Sequence, residues 1–176
     1  SSLITIIADT GSGKTFTKER FLLVNPRHTY AMTVSSLTTL PDILNELSEL
    51  MRIEQSGTKS ARLKRISEKM IEIKRHGGQP VIILDEAENL GNSALKMMKA
   101  LYDAVNGYGV IVQIGTSQLM TKLLRLKDKN KEGMPQYFRR LKAGVRYVSP
   151  VDTRFTPFLT KYVDDIGLRR LLCDLC

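Results

Sequence analysis

This sequence is short of cysteine, of aromatic residues and of long apolar runs, and each shortage removes a class of protein. Its two cysteines, Cys173 and Cys176, both lie at the extreme end of the 176 residues. No disulfide framework can therefore hold the chain, which suits a reducing cytoplasm. The spacing in "CDLC" has no second pair with which to complete a zinc site, so these read as ordinary helix cysteines. No stretch approaches the roughly 18 apolar residues that a membrane-spanning helix needs, and no signal peptide is visible. Aromatics make up 6% of the residues and do not interleave with the basic ones, so nothing points to base stacking on single strands. Repeats and low-complexity segments are missing too. The first residues already read as a core strand, so a natural start further upstream is expected.

What is present is a globular composition, 42% hydrophobic and 26% charged. That is enough for one domain with a true core, or one domain and the start of a second. Lys and Arg total 27 against 18 Asp and Glu, a formal charge of +9. A basic balance of this size fits a polyanionic partner such as nucleic acid.

Along the chain, apolar β-rich runs alternate with helical patterns about five times. Leu3–Ile7 reads as a buried parallel strand, with no polar alternation. A glycine loop and a helix from Lys14 follow, with Phe16, Arg20, Leu22 and Leu23 spread over two turns. Tyr30–Val34 is a second strand. The next helix has Thr39 as its cap and Pro41 in its first turn, with Ile43, Leu44, Leu47, Leu50 and Met51 on one face. Residues 60–77 form an amphipathic helix with Leu63, Ile66, Met70 and Ile73 inward. "VIILDEAENL", "VIVQIGTSQL" and "GVRYVSP" supply three more strands, with helices between them. The pattern predicts an α/β fold with a parallel five-stranded sheet flanked by helices over residues 1–150. Residues 151–176 read as helix only, the beginning of a truncated helical lid.

The stretch "ADTGSGKT" meets each requirement of a phosphate site. Several backbone N–H groups must converge on one point with a helix start behind them, and a lysine and a hydroxyl must be at hand. The loop and helix start, Thr10, Gly11, Ser12, Gly13, Lys14, Thr15 and Phe16, are the nucleotide-binding candidates. Lys14 is placed for the β- and γ-phosphates and Thr15 for Mg²⁺. Ala8 stands where the usual pattern has its first glycine, a cheap change if that position needs no positive φ. A second motif agrees. An apolar strand ends in Asp85, a candidate magnesium ligand, and Glu86, a candidate general base toward water. Two acids at a buried strand end would be costly without a cation. The pair of motifs implies a nucleoside triphosphate, and ATP rather than GTP, because no "NKxD" run is present to read guanine. Thr116, at the next strand end, is placed to touch a γ-phosphate. Arg139 and Arg140, just before the last strand, could reach a neighbouring subunit's nucleotide.

On these residues the sequence resembles the AAA+ P-loop ATPases over about residues 3–150: Walker A as "ADTGSGKT", Walker B as "VIILDEAENL", sensor 1 at Thr116 and an arginine finger before the fifth strand. Within that family it looks most like the transposition ATPases, the phage Mu B and TnsC-type group, on "VIILDEAENLGNSALKMMKALYDAVNGYGVIVQIGTSQL" and "FRRLKAGVRYV". The resemblance implies a magnesium-dependent ATP hydrolase that oligomerises on double-stranded DNA, as a filament or ring, and directs a transposase. Lys96, Lys99, Lys122, Arg125, Lys127 and Lys129 are the candidate phosphate-backbone contacts. "GLRRLL" resembles a sensor 2 helix, with Arg169 or Arg170 toward the nucleotide. Two other readings stay open. One is an AAA+ replication loader or initiator. The other is a regulatory ATPase that binds a protein partner and no DNA.

Overall fold

In the computed structural model, which describes residues 2–148 and 160–174, the first strand lies between two of the last. The elements run β1 (Leu3–Ala8), α1 (Lys14–Val24), β2 (Thr29–Thr33), α2 (Leu40–Leu50), α3 (Lys59–Arg75), β3 (Val81–Asp85), a 3₁₀ turn (Ala87–Asn89), α4 (Asn92–Val105), β4 (Val110–Gly115), α5 (Ser117–Asp128), α6 (Met134–Lys142), β5 (Val145–Val148) and α7 (Ile166–Asp174). The sheet order is β2-β3-β4-β1-β5, and every pairing is parallel. The expected five-stranded parallel sheet flanked by helices is what the chain forms.

This order decides where the helices go. Parallel crossovers are right-handed. Only the β1-to-β2 connection runs toward the β2 edge, so α1 alone covers one face. The connections β2-β3, β3-β4 and β4-β5 all run the other way and stack α2 to α6 on the opposite face. The core follows this asymmetry. Leu3, Thr5 and Ile7 of β1 are fully or almost fully buried toward the five helices, whereas Ile4 and Ile6 on the α1 side are half-buried. α1 buries none of its residues, and Phe16, Leu23 and Val24 are each at least 66% exposed.

Local rules account for most of the boundaries. Thr39 caps α2 in a capping box: its hydroxyl accepts from the Asp42 N–H, and its own N–H donates to the Asp42 carboxylate at 2.8 Å. Of the expected α2 face, Ile43, Leu44, Leu47 and Met51 are buried and Leu50 is exposed. Of the α3 set, Ile66, Met70 and Ile73 are buried and Leu63 packs at the margin. The "DEAENL" run does not continue directly into a helix. It makes the 3₁₀ turn first, and α4 begins at Asn92. The division expected at residue 150, the chain just after it and Cys176 lie outside the described residues, while Cys173 falls within α7.

Candidate nucleotide site

All five strands run the same way, so their carboxyl ends gather on one edge. The registers align them: Ile7 pairs with Gly115 and Thr33 with Asp85. The sequence-distant motifs meet at this edge around a cleft of about 430 Å³, lined by Thr10, Gly11, Gly13, Lys14, Thr15, Phe16, Asp85, Glu86, Glu88 and Thr116. The volume falls in the range of small-molecule sites.

The loop between β1 and α1 has a backbone suited to anions. Gly11 and Gly13 both take φ near +78°, a region side chains disfavour. A Cβ at either would meet nothing within 4 Å, so conformation and not space requires glycine there. Ala8 ends β1 and is not among the positive-φ residues, which explains why alanine serves at that point of the motif. α1 starts at Gly13 with no side-chain cap and no acid in its first turn. Its leading N–H groups therefore keep their partial positive charge for a ligand. Ser12 is turned elsewhere. Its N–H donates to the Asp9 carbonyl at 3.2 Å. Its hydroxyl has no partner, and the residue lines a separate cavity of about 130 Å³ with Ile6, Ala8, Ile114 and Val148.

Lys14 folds back across the loop, its ammonium donating to the carbonyls of Ala8 at 2.8 Å and Asp9 at 2.6 Å. Asp85 is 3% exposed. Its Oδ1 accepts from the Glu86 N–H at 3.0 Å and its Oδ2 from Lys18 Nζ at 2.8 Å. The buried carboxylate thus has its cation, but from α1. Thr15 and Asp85 are hard oxygen donors on one cleft, the kind magnesium takes. No group of three or more acids, histidines or cysteines suited to a metal occurs among the described residues. A magnesium ion here would draw its other ligands from the triphosphate and water, so the residues fit it.

Glu86 sits at φ 53°, ψ 40°, a left-handed conformation unusual for a non-glycine residue. The bend turns its exposed side chain to the cleft, where Oε2 accepts from Asn89 Nδ2 at 3.3 Å. Asn89 also donates to the Val34 carbonyl at 2.8 Å, tying the acid to the end of β2. Thr116 is held by Glu88: its hydroxyl donates to Oε1 at 3.0 Å and its N–H to Oε2 at 3.3 Å. A Cβ on Gly115 would lie 2.6 Å from that carboxylate, so glycine leaves the room in which Glu88 sits.

The remaining candidates lie away from this cleft. Arg139 is exposed on α6, while Arg140 is bound to Asp103 of α4 at 2.7 Å. Tyr137 anchors α6: fully buried, it accepts from Gln113 of β4, and burial pushes its phenol well above the usual tyrosine range. Lys122 does not face solvent as a free cation. It donates to the carbonyls of Glu88 at 2.9 Å and Leu90 at 2.7 Å, and burial lowers its pKa. Lys96 pairs with Glu132 at 2.7 Å, Lys99 with Asp103 at 3.5 Å and Lys127 with Asp128 at 3.1 Å. Arg125 and Lys129 are exposed on α5 and just past its end. Arg169 donates to the carbonyls of Val163 and Asp164, and neither it nor Arg170 lines the cleft.

Three residues of the site had no role assigned from sequence: Lys18, outside both motifs, and Glu88 and Asn89, inside "VIILDEAENL". Lys18 follows Lys14 by one helical turn, which puts both on one face of α1. Glu88 and Asn89 follow Asp85 in the tight turn. Those spacings were their only sequence signal.

Comparison with known sequences supports the same fold. A family profile described as AAA domain matches residues 1–123, well over half of the chain. The chain belongs to the AAA domain family. No curated protein sequence matches it. Among solved structures it is similar to Cdc6p from Pyrobaculum aerophilum, at 17% identity and TM-score 0.64, over 96% of this chain and 42% of that one. It is also similar to the Aeropyrum pernix ORC2 protein, solved as ADPNP-ADP complexes, at 15% identity and TM-score 0.61, over 92% and 45%. The ORC1 protein of that organism, solved in complex with DNA, matches at 15% and TM-score 0.61, over 99% and 48%. The chain thus spans under half the length of these proteins. At such identities the likeness is one of fold. The matches support the AAA+ assignment and give no support to the Mu B and TnsC-type group in particular.

Proposed function

We propose that this chain is an ATP-binding and ATP-hydrolysing module whose nucleotide state governs assembly on double-stranded DNA, in the manner of a replication initiator. The observation that carries the nucleotide reading is the convergence of Lys14, Thr15, Asp85, Glu86 and Thr116 on one cleft. The loop N–H groups and the start of α1 hold the phosphates. Lys14 leaves the Ala8 and Asp9 carbonyls to bind the outer phosphates. Thr15 and Asp85 would hold magnesium, which screens phosphate charge when bound. Glu86, aimed by its backbone bend and by Asn89, takes the proton of the attacking water. Thr116 lies at the γ-phosphate end.

DNA and self-association belong to the same proposal. Similar folds have been solved with DNA, and the chain carries a +9 charge. Arg125 and Lys129 are its best-exposed candidates for phosphate contact. Arg139, exposed and unpaired, is the better finger for a second copy's nucleotide than Arg140, which Asp103 holds. α7 would begin the helical lid.

The test is nucleotide binding and turnover by two variants. Lys14→Ala should lose at least about tenfold in ATP affinity. Glu86→Gln should keep the affinity and lose about 10²-fold or more in turnover. Undiminished binding by the first would overturn the site. A second reading, a transposition regulator acting on a transposase, rests on the sequence phrases from "VIILDEAENL" to "FRRLKAGVRYV". Stimulation of strand transfer by a transposase would favour it. ATP-dependent, salt-sensitive duplex binding without such stimulation would favour the initiator-type reading.

A further inference from the structure

The nucleotide motifs account for one lysine of α1 and leave another unexplained. Lys18 Nζ lies 2.8 Å from Asp85 Oδ2 and 3.0 Å from Thr33 Oγ1. The side chains of Lys18 and Asp85 are only 11% and 4% exposed. Asp85 Oδ1 accepts from the Glu86 N–H, and the ammonium sits on Oδ2, the oxygen with no backbone partner. Thr33 stands opposite Asp85 in the β2–β3 register. One strand end thus supplies the carboxylate and its neighbour a second anchor for the same lysine.

We propose that Lys18 is a built-in counter-ion for Asp85, which it holds while the site has no metal and which magnesium takes over when nucleotide enters. This rests on the nucleotide reading above. Lys18 holds the buried Asp85 carboxylate in place and ready. The same contact opposes the metal. At a separation of a few ångströms in a poorly solvated site, an ammonium and a divalent ion repel strongly. Magnesium binding therefore includes the expulsion of Lys18, and the net gain from the metal is smaller than an unoccupied Asp85 would give. The lysine has somewhere to go. α1 buries no residue and its side chains are largely exposed, and four methylenes let the ammonium swing into water.

The experiment is a titration of the chain with a fluorescent ATP analogue, in magnesium and again in EDTA, the readout being the ratio of the two affinities. In Lys18→Met that magnesium advantage should grow about tenfold over wild type, because the metal no longer competes with a like charge. Lys18→Arg should keep the wild-type ratio. Thr33→Val, an exposed position on an edge strand, should shift the ratio in the same direction as Lys18→Met by a smaller factor, and it carries the test if Lys18→Met does not fold. A permanent structural pair would give a lower melting temperature in Lys18→Met with an unchanged ratio, and that result overturns the proposal while leaving the nucleotide site intact. Failure of the wild-type chain to bind nucleotide in either buffer overturns the site and this proposal together.

Discussion

Glu88 shows how much a single side chain can organise without being one of the acids that a motif singles out. Its carboxylate takes both hydrogen bonds that Thr116 has to give, and its own carbonyl is held by Lys122. Thr116 is the N-cap of α5, just before Ser117, where a carboxylate is favoured by the helix dipole. Glu88→Ala should therefore cost about 0.5–2 kcal/mol in unfolding free energy through the lost cap. It should also release the Thr116 hydroxyl. Nucleotide affinity should stay within about twofold, since Lys14 and the loop are untouched. Chemical denaturation and a nucleotide titration on the same variant would check both, and a stability equal to wild type would show that Glu88 is not the cap.

α1 behaves unlike the other helices of the core. It carries Lys14, Thr15, Phe16 and Lys18, and so it supplies much of the cleft. Yet it buries no residue, and two lysine tethers fix it to the sheet: Lys14 to the loop, Lys18 to Asp85 and Thr33. An element held this way opens at low free energy. Its amides should exchange with solvent faster than those of α3 or α4 in the empty protein, and should slow by at least about tenfold with ATP and magnesium. Hydrogen-exchange mass spectrometry would measure this, and equal protection of α1 and α3 without ligand would refute it. The sequence could not have disclosed this exposure. Phe16, Phe21, Leu23 and Val24 look like core residues, and only the strand order leaves their face thinly covered. The glycine loop and the acids closing β3 were readable because phosphate and carboxylate chemistry is written in adjacent residues. The Lys18–Asp85 contact joins residues 67 apart, so it depends on how α1 lies across β3, which no local pattern encodes. The same holds for the two arginines of α6. They are equivalent in sequence, and Asp103 on another helix pairs with Arg140 while Arg139 stays exposed.

At the scale of the whole molecule, neither arginine of α6 is among the residues that line the cleft. If a neighbour completes it, Arg139→Ala should lower turnover in the assembled state by about 10²-fold or more while leaving ATP affinity unchanged. Arg140→Ala should act mainly on stability, through Asp103. Mixing Arg139→Ala with Glu86→Gln protein should restore part of the activity, because some interfaces then pair an intact arginine with an intact acid. Absence of any recovery on mixing would place the arginine's action within one chain.

The strand order has one last consequence, for the way the molecule comes into being. β1 leaves the ribosome before the other elements described above, but its two sheet neighbours are β4 and β5, and its first pairing joins Leu3 to Ile111. Until more than a hundred residues have followed, that strand and the glycine loop hanging from it have no edge to dock against. The glycine loop, made before β4 and β5, is among the last parts of this sheet edge to be set in place.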